Sequence, residues 1–578
     1  MFKRFVSHRK CVLENFYDAR FGVVKKYTTE SSSVKTSYFH NVGLHPLKYM
    51  TVGQALKKIA TQYPEQTALI SCIDNKQYTF AEILDKADRL ASGLLNLGLS
   101  SGDRVAIWAP NYDFWYISKL AIARAGLICV ALNPAYQPSE LDYSLKKVDV
   151  RAIVMPETFK TQKYYEMVSN FRKTSSSLKY VVMVSEKNLP GAVRFDDLIK
   201  SSSESDKAEI EELQATISPD DGCNIQFTSG TTGYPKAAVV SHFSFVNCGS
   251  QTGIRNELDQ RHRTICLNLP FFHIAGIVSL MHSVMCGSTL VLPLPHFSAE
   301  ASINSILTKN CDVIYGTPNM YVEMVAKKKE LNVEIPEIAF SVTGAAICTP
   351  KLVRDARKYL NIRKFRSAYG MTETTASGFQ VLPDEHDNFV EEFVGFASDH
   401  IELKVIDRKG QIVPFGQPGE LCIRGYCNMI EYWGDEEKTK EVMGRDNWLK
   451  TGDQFILYEN GYGQIIGRLK EMIIRGGENL FPREIEDFLN THPNVLESHV
   501  VGIPDEKMGE EVGAFIRLKD PSKQLTQHDV KEFCKGKIAH FKVPRFVYVV
   551  TKYPRTVSGK VQKNKFLEYF ADEIKKNE

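Results

Sequence analysis

Short apolar runs alternate with helical stretches along much of this chain, and that alternation restricts it to a layered α/β fold. Residues 78–97 read as a helix with a visible start. Thr79 and Glu82 make a capping box, and Phe80, Ile83, Leu84, Ala87, Leu90, Ala91 and Leu94 form one apolar face. Gly102-Asp103 then turns into residues 105–108, a buried strand that ends at Pro110-Asn111. Strand candidates recur at residues 152–155, 180–184, 289–292 and 313–315. Helices lying between such strands favour largely parallel sheets. Residues 189–221 break the pattern with Pro190-Gly191, a Ser201-Ser202-Ser203 tract and clustered acids, which predicts a surface connection. Past Ile401 the texture becomes hairpin-like, with turn signals at Lys409-Gly410, Pro418-Gly419 and Asn460-Gly461. After Lys470 come a helix (482–491), strands (498–501 and 513–518), a helix (527–537) and a basic tail, enough for a small α+β domain. A length of 578 residues itself asks for two or more cores.

The connection at 189–221 leads into a loop with distinctive chemistry. After the apolar residues 225–227, Thr228, Ser229, Gly230, Thr231, Thr232, Gly233, Tyr234, Pro235 and Lys236 follow in order. Glycines let backbone N–H groups approach a polyanion, hydroxyls donate to phosphate oxygens, and a lysine supplies charge. The loop is not the GxxxxGK[ST] pattern of P-loop nucleotidases. Lys236 lies beyond Gly233-Tyr234-Pro235 and is followed by Ala237, where that pattern needs a hydroxyl. The loop therefore meets phosphates within a different architecture.

Composition closes off other classes. A net charge of +3 gives no electrostatic argument for nucleic acid or an anionic membrane. The 12 cysteines are scattered without a CxxC pair, which reads as thiols in a reduced compartment. No apolar run reaches the roughly 18 residues of a transmembrane helix. At the N-terminus, Lys3, Arg4, Arg9, Lys10, Arg20, Lys25 and Lys26 face only Glu14 and Asp18, while Leu13, Tyr17, Phe21 and Val24 recur at helical spacing. That pattern predicts a mitochondrial transit peptide, taken as residues 1–40, and a matrix location.

Five further segments follow the phosphate loop: YGMTE with Tyr369 and Glu373, TGD ending at Asp453, GRLKEMIIRGGEN with Arg468, Lys470, Gly476 and Gly477, FKVPR, and PRTVSGK ending at Lys560. Singly each is bland. Together and in this order they closely resemble the adenylate-forming superfamily, and the resemblance runs from about Thr51 to the C-terminus. ELCIRGYCNMIEYWGD, MIIRGGENLFPREIEDFL and CKGKIAHFKVPRFV are similar to the mitochondrial medium-chain fatty acid–CoA ligases of that superfamily.

The resemblance implies a large N-terminal part (41–469) of α/β subdomains plus a β-subdomain, and a mobile α+β C-terminal domain (470–578). It implies ATP, CoA and Mg²⁺ as cofactors and a fatty acid as substrate. The acid would be activated as an acyl-adenylate and passed to CoA, or alternatively to another thiol acceptor such as a carrier protein. On that resemblance the 228–236 loop holds the β- and γ-phosphates, Glu373 helps hold Mg²⁺, and Tyr369 lies against the adenine. Asp453 accepts from the ribose, Arg468 contacts ribose or phosphate, and Lys560 bridges the carboxylate and the α-phosphate. Lys470 matches the hinge, and Gly476-Gly477 the approach to CoA. FFHIAG, with Phe272 and His273, and TGAAI, with Ala345, match acyl-pocket segments. His273 reads as pocket wall rather than catalyst, and the Ala345 methyl, where many relatives have glycine, favours medium or short chains.

Overall fold

The helix expected at 78–97 begins where its capping box stands: Glu82 N donates to Thr79 Oγ1 at 3.2 Å and Thr79 N to Glu82 Oε2 at 2.8 Å, opening Phe80–Asn96. Phe80, Ile83, Ala87, Leu90, Ala91 and Leu94 on its apolar face are fully buried. The computed structural model describes residues 35–174, 177–228, 235–344, 350–385, 388–475, 478–505, 508–538, 540–556 and 560–575. The basic leader segment up to residue 34 lies outside them.

The expected alternation produces two large sheets. In the 8-stranded sheet, Arg104–Trp108 pairs in parallel with Ile128–Leu132 and Val150–Pro156. Gly222–Thr228 continues the parallel set, and Lys236–Ser241 turns back against it antiparallel. In the 14-stranded sheet, Thr67–Ser71, Thr289–Leu292, Thr264–Leu267, Val313–Gly316, Ile338–Thr343 and Ile362–Tyr369 run parallel. Its sense then reverses: Phe379–Gln380 pairs antiparallel with Ala368 and Tyr369. From there Gly395–Ala397, Tyr462–Arg468, Leu449–Leu457, Pro418–Gly425 and Ile401–Ile406 form the hairpin-rich part that the turn signals predict. Gly410 (φ 79°) and Gly461 (φ 85°) occupy the left-handed turn positions there.

A third, 5-stranded sheet is built around Val495–Asp505 and Gly509–Leu518, with helix Pro482–Leu489 against it. Ile473, Ile485, Val500, Val512, Ala514, Ile516 and Val530 give it a core of its own. Ser37–Glu578 nevertheless clusters as one compact unit, so the last sheet is docked against the rest.

Two expectations need correction. Residues 189–221 are not a plain surface connection: they hold helices Phe195–Ser201 and Glu204–Leu213. The serine tract that suggested a loop supplies a cap, since Ser203 Oγ accepts from Asp206 N at 3.3 Å, and Glu204 and Asp206 sit in the first turn where the helix dipole favours them. The segment read as leader, 1–40, also runs into structure. Tyr38–Asn41 pairs with Ile401–Ile406 at the edge of the 14-stranded sheet.

The ten described cysteines are unpaired, and eight are buried. Among the described residues no helix is long and apolar enough to cross a membrane.

Candidate active site

Tyr369 ends the last parallel strand at the point where the sheet changes sense, and the expected site residues gather there. Gly370 follows it because any side chain would collide with the Ala376 backbone at 2.2 Å. The chain then makes a short 3₁₀ turn, Thr372–Thr374, and leaves it through Thr375 and Ala376 at φ 49° and 57°. Two successive non-glycine residues in the left-handed region are costly and persist only where surroundings enforce them. Thr375 Oγ1 donating to Cys427 O at 2.7 Å is part of that enforcement. The turn buries Glu373, 6% exposed.

Opposite Tyr369 stands the TGD segment. It lies within strand Leu449–Leu457, where Gly452 at φ 70° kinks the chain and donates its N–H to Glu420 Oε1 at 3.1 Å. Asp453 therefore points inward, 1% exposed, in register with Arg468 across the antiparallel pair. Its Oδ2 accepts from Tyr369 Oη at 2.6 Å, and its Oδ1 lies 2.7 Å from Arg468 Nε. That ion pair is not aligned as a hydrogen bond, so among the described residues Oδ1 is a buried acceptor with no donor aimed at it. Burial raises the Asp453 pKa, with the Arg468 guanidinium opposing. Burial also works against the charge of Arg468, but Asp453 together with Tyr369, Glu471 and Glu373 outweighs it and the pKa rises.

The phosphate loop is anchored at both ends. Thr228 closes one strand and Lys236 opens the next, paired across the hairpin. Thr228 Oγ1 is a buried hydroxyl without a partner among the described residues, and Pro235 O accepts from Tyr143 Oη at 3.0 Å. Ser229, Gly230, Thr231, Thr232, Gly233 and Tyr234 lie outside the described residues, as do Ala345, Gly476 and Gly477.

Lys236 reaches Glu373 through a residue of the ELCIRGYCNMIEYWGD segment to which no role was assigned. Its Nζ donates to Tyr432 Oη at 2.7 Å, and Tyr432 Oη donates to Glu373 Oε1 at 2.7 Å. Tyr432 is 1% exposed, on a two-residue strand that pairs with Lys236–Ser241. Burial lowers the Lys236 pKa, with Glu373 opposing and the Lys470 charge adding to the shift. Lys470 itself is exposed, in the 3₁₀ turn Leu469–Glu471 that leaves the Arg468 strand.

On the remaining side, His273 caps helix Ile274–Cys286, its Nδ1 accepting from Ala275 N at 3.4 Å. Gly276 allows that helix to start against Pro270 O, which a side chain would meet at 2.1 Å. Phe272 is half-buried, and its carbonyl accepts from Gln226 Nε2. Gln226 in turn accepts from Asn224, and Asn224 from the buried Lys119, so the strand below the phosphate loop is bonded to the His273 segment.

Lys560 arrives from the end of the chain. It is exposed to solvent, yet it lies within electrostatic reach of Arg468, Glu471, Asp453 and Glu373, and partial desolvation followed by Arg468 pushes its pKa down. Burial, then the Lys560 charge, lowers the His273 pKa to about 4, which leaves that ring neutral near pH 7. The docked position of the last sheet is held in part by Arg483, whose Nη1 donates to Ile465 O at 3.1 Å. Hydrogen bonds, an ion pair and electrostatic reach link Lys236, Tyr369, Glu373, Asp453, Arg468, Lys470, Lys560 and His273, with Thr228 and Pro235 at the two ends of the loop.

A family model described as AMP-binding enzyme matches residues 56–433, and one described as AMP-binding enzyme C-terminal domain matches residues 484–560. The chain is 40% identical over 551 residues to "Medium-chain acyl-CoA ligase ACSF2, mitochondrial" of Danio rerio, covering 93% of this chain and 91% of the relative. The Homo sapiens protein of the same name is 38% identical over 552 residues, covering 92% and 89%. Among solved structures, ATP-bound MatB from Rhodopseudomonas palustris superposes with a TM-score of 0.78 at 25% identity, over 91% of this chain and all of that one. The chain belongs to the AMP-binding enzyme family, among its acyl-CoA ligases.

Proposed function

We propose that this enzyme activates medium-chain fatty acids with ATP as acyl-adenylates and transfers the acyl group to CoA, releasing AMP. The observation that carries the reading is Lys560. A cation from the last domain lies within electrostatic reach of Asp453, Arg468 and Glu373, which are set by the first. In the first step the carboxylate attacks the α-phosphorus, and negative charge builds on the phosphate oxygens as pyrophosphate leaves. Preorganised donors stabilise that charge most when they are already in place. Lys560 would bridge the carboxylate and the α-phosphate, and Thr228 to Lys236 would hold the departing pyrophosphate. Tyr369 would lie against the adenine, and the undonated Oδ1 of Asp453 would accept from a ribose hydroxyl. Arg468 would contact ribose or phosphate.

A magnesium ion fits at Glu373. Mg²⁺ takes hard oxygen ligands and is commonly held by one or two carboxylates together with substrate phosphates. Glu373 is a buried carboxylate beside the phosphate loop, tied by its Oε1 to Tyr432. When bound, the ion would neutralise charge on the phosphates.

In the second step the CoA thiol attacks the acyl carbonyl and AMP leaves. Lys560 no longer has a role there, and rotation of the last domain about Lys470 would withdraw it and bring Gly476-Gly477 towards the pantetheine. Phe272, His273 and Ala345 would line the acyl pocket. The names of the relatives support medium chains, and their mitochondrial labels with the basic leader support the matrix. Tyr38–Asn41 pairs with the sheet, which supports a leader that ends before Tyr38.

The test is a panel of C4 to C18 acids scored for AMP and acyl-CoA. Pyrophosphate should appear only with acid and Mg-ATP, and acyl-CoA only when CoA is added, with octanoate faster than palmitate. Palmitate turned over faster than octanoate would overturn the chain-length assignment. AMP formation that needs no acid would overturn the reaction.

A further inference from the structure

The position of Lys560 depends on how the chain is held on either side of it. Arg555 and Val561 form an antiparallel bridge, Thr556 N donates to Lys560 O at 2.7 Å, and Gln562 N donates to Pro554 O at 2.8 Å. The first arm is fixed by Arg555, whose Nη2 donates to the two oxygens of Glu497 at 2.8 and 2.9 Å. Glu497 is itself held by Arg517 at 3.1 Å and by His499 at 2.9 Å.

The second arm is fixed by Lys563. Its Nζ lies 2.7 Å from Glu486 and 3.5 Å from Glu471. The Lys563 and Glu486 side chains are 15% and 12% exposed, so this is an ion pair largely withdrawn from water. Burial opposes the charge of Lys563, but Glu486 and Glu471 keep its pKa above the ordinary value. Glu486 cannot easily follow a displaced partner, because its Oε1 also accepts from Val500 N at 2.6 Å. Glu471 closes the 3₁₀ turn directly after Arg468 and Lys470, and its charge is felt by Asp453 and Lys560. One ammonium thus ties the Lys560 loop both to a helix of its own domain and to the segment that leaves the nucleotide site.

We propose that Lys563 is a positioning residue for adenylation: through Glu486 and Glu471 it fixes where the Lys560 loop enters the active site. A buried ion pair is often no more stabilising than an apolar pair of the same volume, so stability alone is a weak reason for it. Geometry is a better one, since a misplacement of about 1 Å at a reacting centre can cost roughly a hundredfold in rate. The inference rests on the reading of Lys560 as the cation of the first step. Because the loop would be withdrawn in the second step, its aim matters to one half-reaction and not to the other.

The experiment uses the full chain and two assays, pyrophosphate release from octanoate with Mg-ATP and thioester formation from synthetic octanoyl-adenylate with CoA. Lys563→Met should slow the first by roughly 10- to 100-fold and leave the second within about twofold. Lys563→Arg should restore most of the first, since a guanidinium can still address both carboxylates. Glu471→Gln, at a 39% exposed side chain, should slow the first several-fold and add little in the Lys563→Met background. It carries the same prediction if Lys563→Met does not fold. The proposal is overturned if pyrophosphate release is unchanged in Lys563→Met and Glu471→Gln while Lys560→Ala is slow, or if both half-reactions fall in proportion. If Lys560→Ala itself releases pyrophosphate normally, the reading of the first step fails and this inference with it.

Discussion

The nucleotide side of the site and the Lys560 loop are built on opposite principles. Tyr369, Asp453 and Arg468 come from strands of one continuous sheet, so backbone pairing fixes their spacing, and Asp453 is 1% exposed beneath them. Lys560 is exposed on a loop of the last domain, and its place depends on side-chain ion pairs and on a docked domain. The first arrangement suits a group needed in both half-reactions, namely the AMP moiety. The second suits a charge needed in one and unwanted in the other. On the proposed reading, permanent recognition falls to the sheet and a temporary charge to a removable loop.

That contrast is sharpened first by Asp453→Ala. Loss of an ionised acceptor for a substrate hydroxyl is worth about 1.5–3 kcal/mol, or roughly 10- to 100-fold. It should raise KM for ATP by that factor and also slow thioester formation from acyl-adenylate, since AMP is present in both steps. A loss confined to the first step would break the contrast.

Tyr432→Phe comes next in size. It removes the hydroxyl between Lys236 and Glu373, a contribution of about 1 kcal/mol, so roughly a fivefold loss. The loss should fall on kcat/KM for Mg-ATP and spare thioester formation, because AMP carries no β- or γ-phosphate. A pH profile gives a subtler effect. The working form of Lys560 is the ammonium and its pKa is lowered, so adenylation should be full below that pKa and lost as pH rises through it. The alkaline limb should lie below the ordinary lysine range and move upward in Lys560→Arg, with no matching limb for thioester formation. The smallest effect expected is from deletion of residues 1–36, which should leave Tm and both half-reactions unchanged. Deletion through Asn41 should lower Tm, because it removes the strand paired with Ile401–Ile406.

Much of this was legible in the residues themselves. Alternation gave the α/β layers, strands 180–184 and 289–292 fall on their expected bounds, and Thr79 with Glu82 marked a helix start that the hydrogen bonds show. The phosphate loop, Tyr369, Glu373, Asp453, Arg468 and Lys560 were each visible as motifs. What was not legible is what depends on distant pairing. Tyr432 stands 196 residues from Lys236 and 59 from Glu373, and no local rule marks a tyrosine for partners so remote. The 14-stranded sheet interleaves parallel strands with antiparallel ones from much later in the chain, an order that periodicity does not encode. Glu204–Leu213 is a different case: Ser203 and Asp206 did carry a capping signal, and it was masked by a composition that suggested a loop.

The central claim, that Lys560 serves one half-reaction only, is tested most directly by assaying both in Lys560→Ala. Pyrophosphate release from octanoate and Mg-ATP should fall by about 10²–10³, or ~2.7–4 kcal/mol, the loss expected for one donor to a developing charge. Thioester formation from octanoyl-adenylate and CoA should stay near the wild-type rate. Equal loss of both, or retention of both, would contradict the account.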